Sequence, residues 1–147
     1  MQGIIEMLDE QLQYIEHTLE NGIMKTRVSS KKTTGSCIYC GMESRTIHSV
    51  YERKVQDLPI QGKKVTVLIK RRKFFCLNKD CSKKRFAEQF AFFKGNERKT
   101  LRLQEAIQEV SLSQSSLSAS KYLRRNVANV GKSTICNLLK KRSRNNG

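Results

Sequence analysis

Cys37-Ile38-Tyr39-Cys40-Gly41 and Cys76-Leu77-Asn78-Lys79-Asp80-Cys81 are the stretches on which the fold turns. In the first, two thiols separated by two residues can be aimed by one tight turn at a single cation, and the glycine that follows suits such a turn. The second pair has a wider spacer and lies thirty-five residues further along the chain. Together Cys37, Cys40, Cys76 and Cys81 supply the four thiolates that satisfy tetrahedral zinc with no open position, which predicts one structural ion and no metal-activated water. The fifth cysteine, Cys136, falls among Ile135, Leu138 and Leu139 and reads as a small apolar residue. His48, near the first pair, reads as an ordinary strand residue because the four sulfurs already complete a shell. His17 reads as a helix residue. Neither histidine has a visible partner for nucleophilic catalysis.

A metal is useful to a chain of this make-up. Its 147 residues fit one ordinary domain or two very small ones, only 37% are hydrophobic, and tryptophan is absent. A large enzyme core is therefore not expected. Lys and Arg number 29 against 13 Asp and Glu, for a net charge of +16. The first 24 residues hold five of the acids (Glu6, Asp9, Glu10, Glu16 and Glu20) and no Lys or Arg, so the rest is more basic still. Such a body attracts polyanions, since each neutralised phosphate releases condensed counterions. No stretch approaches the roughly 20 apolar residues that span a bilayer, and no basic-then-apolar leader opens the chain, so the expected location is the cytoplasm. In that reducing compartment paired cysteines read as metal ligands before disulfides.

Working outward, Ile5, Leu8, Leu12, Ile15 and Leu19 repeat at spacings of three and four, which predicts an amphipathic helix over residues 1–22 ending at Asn21-Gly22. That stripe offers either packing against the zinc region or a short seam to a second copy. Residues 23–32 and 63–70 read as strands, the latter after a turn at Leu58-Pro59-Ile60-Gln61-Gly62. Helical periodicity begins near Asn96, with Leu101, Leu103, Ala106, Ile107 and Val110 on one face. Shorter helices at about 115–125 and 132–142, joined by a turn containing Gly131, suit a helix-turn-helix. The expected class is thus α+β: an amphipathic helix (1–22), a small zinc-bound β-rich domain resembling a zinc ribbon (23–92) and a three-helix DNA-binding unit (96–144). Gly131-Lys132-Ser133-Thr134 mimics the end of a phosphate loop. That motif needs a further glycine where this chain has Asn126, so the stretch reads as the first turn of a recognition helix.

From Cys37 to Lys141 the chain resembles the N-terminal region of the ISL-three family of insertion-sequence transposases. The resemblance is carried by the first cysteine pair, His48-Ser49, Tyr51 with Arg53, and Asp57-Leu58-Pro59-Ile60. It continues through Gly62, Arg71-Arg72-Lys73-Phe74, Cys76, Asn78, Cys81 and Arg85-Phe86-Ala87-Glu88. The helical part matches at Thr100, Arg102-Leu103, Ala106-Ile107, Ser118 to Arg125, and Val130 to Lys141. In that family a zinc finger and a helix-turn-helix precede a catalytic domain whose carboxylates bind metal. This sequence ends at Gly147 without them, so the expectation is a DNA-binding portion that is not an enzyme.

The resemblance implies binding to the terminal inverted repeats of an element, on double-stranded DNA at a bacterial nucleoid. Lys132, Ser133, Thr134 and Asn137 are the expected readers of bases. Phosphates would be met by Arg71, Arg72, Lys73, Lys83, Lys84 and Arg85, with Lys140, Lys141 and Arg142 beyond the last helix. The N-terminal helix would join two copies or dock a full-length transposase. The competing reading is a stand-alone zinc-containing transcriptional regulator. A third, RNA binding through Phe74, Phe75, Phe86, Phe90, Phe92 and Phe93, is weaker because a small domain needs most of those rings in its core.

Overall fold

A computed structural model of the chain describes residues 2–113, 121 and 134–139. Helix α1 (Gln2–Leu8) leads into strand β1 (Leu12–Glu20), which turns back as β2 (Ile23–Ser30). A two-stranded unit, β3 (Gly35–Ser36) with β4 (Glu43–Ser44), carries the first cysteine pair between its strands. Two long strands follow, β5 (Ile47–Ile60) and β6 (Lys63–Phe75), then the short β7 (Arg85–Ala87) and helix α2 (Leu101–Ser113). The main sheet runs β1-β2-β6-β5, with β7 also paired to β6. Its β1/β2, β5/β6 and β6/β7 pairs are antiparallel, whereas β2 runs parallel to β6 from Ile23↔Lys64 to Val28↔Ile69. The chain is α+β with sheet predominant. No described helix is long and apolar enough to cross a membrane.

Both hairpins are closed by two residues in the left-handed region: Asn21 and Gly22 at φ 53° and 75°, Gln61 and Gly62 at φ 49° and 75°. Two consecutive positive φ values give the turn whose twist matches that of the flanking strands. Here the expected N-terminal helix is corrected. It stops at Leu8, and residues 12–20 form a strand whose end, Glu20, pairs with Ile23 across Asn21-Gly22. The dipeptide is a hairpin turn and not a helix stop. The three-and-four stripe divides accordingly: Ile5 and Leu12 are buried, while Ile15 and Leu19 are 43% and 53% exposed. A seam joining two copies along that stripe has no helix to carry it.

The expected turn over 58–62 shrinks to Gln61-Gly62 in the same way. Residues 47–60 are a single strand, and Pro59 falls where the β5/β6 register shifts between Asp57 and Ile60, a place where its missing N–H disrupts no ladder bond. The strand expected at 63–70 extends to Phe75.

Alternation along β6 sets the core. Val65, Val67, Ile69 and Arg71 are buried on one face, where Val28, Val55, Ile5, Leu12, Phe92 and Phe93 complete the apolar cluster. Lys64, Thr66, Lys70 and Arg72 occupy the other face. A second cluster joins Leu103 and Ile107 of α2 to Ile135 and Leu138 of the helical stretch 134–139. There the Gln108 side-chain amide donates to the Leu138 carbonyl at 2.8 Å. The helices expected at 115–125 and 132–142, and the turn between them, otherwise lie outside the described residues.

Candidate metal centre and its surroundings

Cys37 opens the first knuckle. Its backbone N–H donates to the Met42 carbonyl at 3.0 Å, and its carbonyl accepts from Gly41 N at 2.7 Å, which folds the five residues back on themselves. The second pair is shaped by Cys76 N donating to the Lys84 carbonyl and Cys81 N to the Asn78 carbonyl. Backbone amides then meet the sulfurs in one repeated pattern. The N–H of Tyr39 approaches Cys37 Sγ at 3.4 Å, and those of Met42, Asn78 and Lys83 reach Cys40, Cys76 and Cys81. Every thiol therefore receives the amide two residues on, an arrangement suited to carrying negative charge.

The four sulfurs lie within 4.8 Å of one another, with Cys37–Cys81 at 4.0 Å and Cys40–Cys76 at 3.6 Å. A tetrahedron with zinc–sulfur bonds of about 2.3 Å has sulfurs about 3.8 Å apart, so the set fits a closed zinc site. Zinc held there would tie the two knuckles together and would leave no position for substrate. The Met42 N–H, and then the Asn78 side chain, lower the Cys40 thiol to about 6. Cys76 is pushed up to about 12: the Asn78 N–H favours its thiolate, but burial and the neighbouring sulfurs outweigh that bond. Cys81 is raised as well, burial and Cys40 overcoming the Lys83 N–H. Sulfurs this close cannot all ionise without a cation among them, and a bound dication supplies one.

The centre rests on a small apolar floor. Phe74 of β6 and Phe86 of β7 stack with centroids 5.5 Å apart, buried against Cys37 with Cys76 and Cys81 at the edge. A β-carbon at Gly35 would stand 2.6 Å from the Phe74 ring, so β3 can lie on this floor only without a side chain there. His48 takes no part in the sulfur cluster. It lies in β5, where its Nε2 accepts from Arg85 at 3.0 Å and its ring meets the edge of Phe75.

The predicted phosphate contacts divide. Arg71 is corrected: it is 3% exposed, donates to the Glu88 and Gly95 carbonyls at 2.8 Å each, and lies over the Phe93 ring. Its guanidinium pins the 88–95 segment to the sheet and is out of reach of DNA. Arg72 is half-buried and holds both Glu88 carboxylate oxygens. Lys73, Lys83, Lys84 and Arg85 are exposed around the centre, with Lys73 over Tyr51 and Lys83 over Tyr39. Thr134 is half-buried and Asn137 exposed on the 134–139 stretch. Lys132, Ser133, Lys140, Lys141 and Arg142 lie outside the described residues.

Asp57, just ahead of the turn expected at 58–62, is a buried residue of β5. Its carboxylate accepts from Thr100 Oγ1 and from Arg102 Nε, each at 2.8 Å, and from Arg102 Nη2. Thr100 Oγ1 in turn accepts from Leu103 N at 3.3 Å, capping α2. The hydrogen bond from Asp57 holds the Arg102 guanidinium pKa above its ordinary value. The available signal was a Thr three residues before Leu103 at the start of a periodic apolar run.

Residues 33–81 match the family model for the zinc-finger of transposase IS204/IS1001/IS1096/IS1165. No curated protein and no solved structure matches the chain. The matched third of the chain contains all four sulfur ligands, and it supports the likeness to the N-terminal region of ISL-three transposases.

Proposed function

We propose that this chain is the DNA-binding portion of an insertion-sequence transposase and recognises transposon ends without cutting them. The carrying observation is the four-sulfur cluster inside the segment that matches a transposase zinc finger. One zinc ion would fix the two knuckles, and Lys73, Lys83, Lys84 and Arg85 around them would meet phosphates, helped by Arg72. Base reading falls to residues 132–137, through Lys132, Ser133, Thr134 and Asn137, in a helix-turn-helix over 96–144. Lys140, Lys141 and Arg142 would follow the backbone beyond it. The net charge of +16 suits this partner, because phosphate neutralisation supplies the sequence-independent share of affinity.

A gel-shift competition tests the reading. Protein purified with its zinc should prefer duplexes carrying the terminal repeats adjoining its gene over random duplex of equal length. Equal affinity for both would refute end recognition. Metal-dependent nicking by the pure chain would refute the absence of chemistry; that part of the reading is supported by the cluster of metal-ligating residues found among the described ones, four thiols and no converging carboxylates.

A further inference from the structure

The sheet face opposite the apolar core carries a second basic surface. Lys25 of β2, Lys64 and Lys70 of β6 and Lys54 of β5 share it by register, since Lys25 is opposite Thr66 and Leu68 is opposite Lys54. Segment 98–100 continues the sheet beyond β5, with Gln56 N donating to the Arg98 carbonyl at 2.8 Å and Thr100 N to the Gln56 carbonyl at 2.9 Å. At this edge Lys54, Lys64 and Arg98 rim a cleft of about 250 Å³ whose walls include Gln56 and Thr66, and no carboxylate lines it. Among the described residues neither Lys54 nor Arg98 has a carboxylate within 4.0 Å. On this face Glu16 and Glu52 are both engaged by Arg27, at 3.2 and 3.4 Å. Glu20 is across from Ile23 in the cleft wall and forms no ion pair with Lys54 or Arg98 within 4.0 Å.

We infer that this cleft seats a backbone phosphate of duplex DNA, gripped by Lys54 and Arg98 with Lys64 at the rim. The inference rests on the DNA-binding reading and adds a contact surface that none of the basic runs contains. Charge complementarity is its ground: Lys54 and Arg98, with no carboxylate partner among the described residues, converge on a polar hollow wide enough for a phosphate.

The experiment is a salt titration of full-chain binding to a fluorescent random duplex of about two turns. It compares the zinc-loaded wild type with K54A/R98A and with the charge-keeping K54R/R98K. Losing the one phosphate seated in the cleft should flatten the slope of log affinity against log salt by about 0.9, so that from 50 to 200 mM salt the alanine pair loses about 3.5-fold less affinity than wild type. K54R/R98K should keep the wild-type slope. A wild type that binds while K54A/R98A shows the same slope overturns the cleft and leaves the DNA reading standing. A swap variant as flat as the alanine pair overturns it too, because charge is then not the agent. A wild type that binds no duplex at any salt overturns the DNA-binding reading itself.

Discussion

The sheet core and the metal corner are built from one strand yet stand on different footings. The first half of β6 lies in a cluster of nine buried apolar residues drawn from α1, four strands and the 92–93 segment. Its far end, at Phe74, finds only Phe86 and the cysteines. At roughly 25 cal/mol per Å² of buried apolar surface, two phenylalanine rings and a few sulfurs supply far less than the main core does. The corner also places four thiols within 4.8 Å of one another. One region is rich in buried apolar surface, and the other is poor in it and gathers four sulfurs that suit a cation.

Stripping the metal should separate the two most sharply. Structural zinc contributes about 10–16 kcal/mol in small knuckle peptides, more than a floor of this size can replace. Chelation, or Cys76→Ser, should raise amide exchange over residues 37–46 and 76–86 by orders of magnitude while β2 and the first half of β6 stay protected. Uniform loss of protection along β6 would break the comparison, and so would a corner indifferent to chelation.

Phe74→Ala removes the side chain on which the corner rests and should cost about 3–5 kcal/mol, read as a lowered denaturation midpoint of the zinc-loaded protein. Adding excess zinc should not restore it, since the ligands survive and the floor does not. Asp57→Ala should cost less, about 1–3 kcal/mol, because it leaves the buried Thr100 hydroxyl without its acceptor while Arg102 can still reach water. That loss should appear in the protection of α2 and leave zinc stoichiometry unchanged. Gly35→Ala presses a methyl group onto Phe74 and should cost about 1–3 kcal/mol, confined to the corner. The smallest change belongs to the exposed surface, where Glu16→Ala frees one side of Arg27 and should alter stability by less than about 1 kcal/mol.

Local spacing was enough to find the four clustered cysteines, because each knuckle is a local turn whose two sulfurs sit a few residues apart whatever the rest of the chain does. The strand at 23–32 and the periodic run of α2 were legible for the same reason. The N-terminal stripe misled because spacings of three and four can arise by chance over five positions. What decided residues 12–20 was the pairing of β1 with β2, which is made only once the hairpin closes on the sheet. Asn21-Gly22 carried the correct signal, since that dipeptide serves a two-residue hairpin better than a helix end.

By itself, the sequence determined the four-cysteine set, the strongly basic body, the strands at 23–32 and 63–70 and the apolar face of the first C-terminal helix, all written in composition or in neighbours a few residues apart, though that helix begins at Leu101 and not near Asn96. Only the tertiary structure decided what each charge is for. Arg71, Arg72 and Lys73 are adjacent in the chain, yet one is buried on backbone carbonyls, one is tied to Glu88 and one faces water. Alternation along a strand sends neighbours to opposite faces, and which face is covered depends on segments 15 or more residues away. The link from Asp57 to Thr100 and Arg102 spans more than 40 residues and forms only when β5 and α2 meet. Long-range placement of this kind has no local signature, because the free energy that fixes it comes from burial completed only in the folded chain.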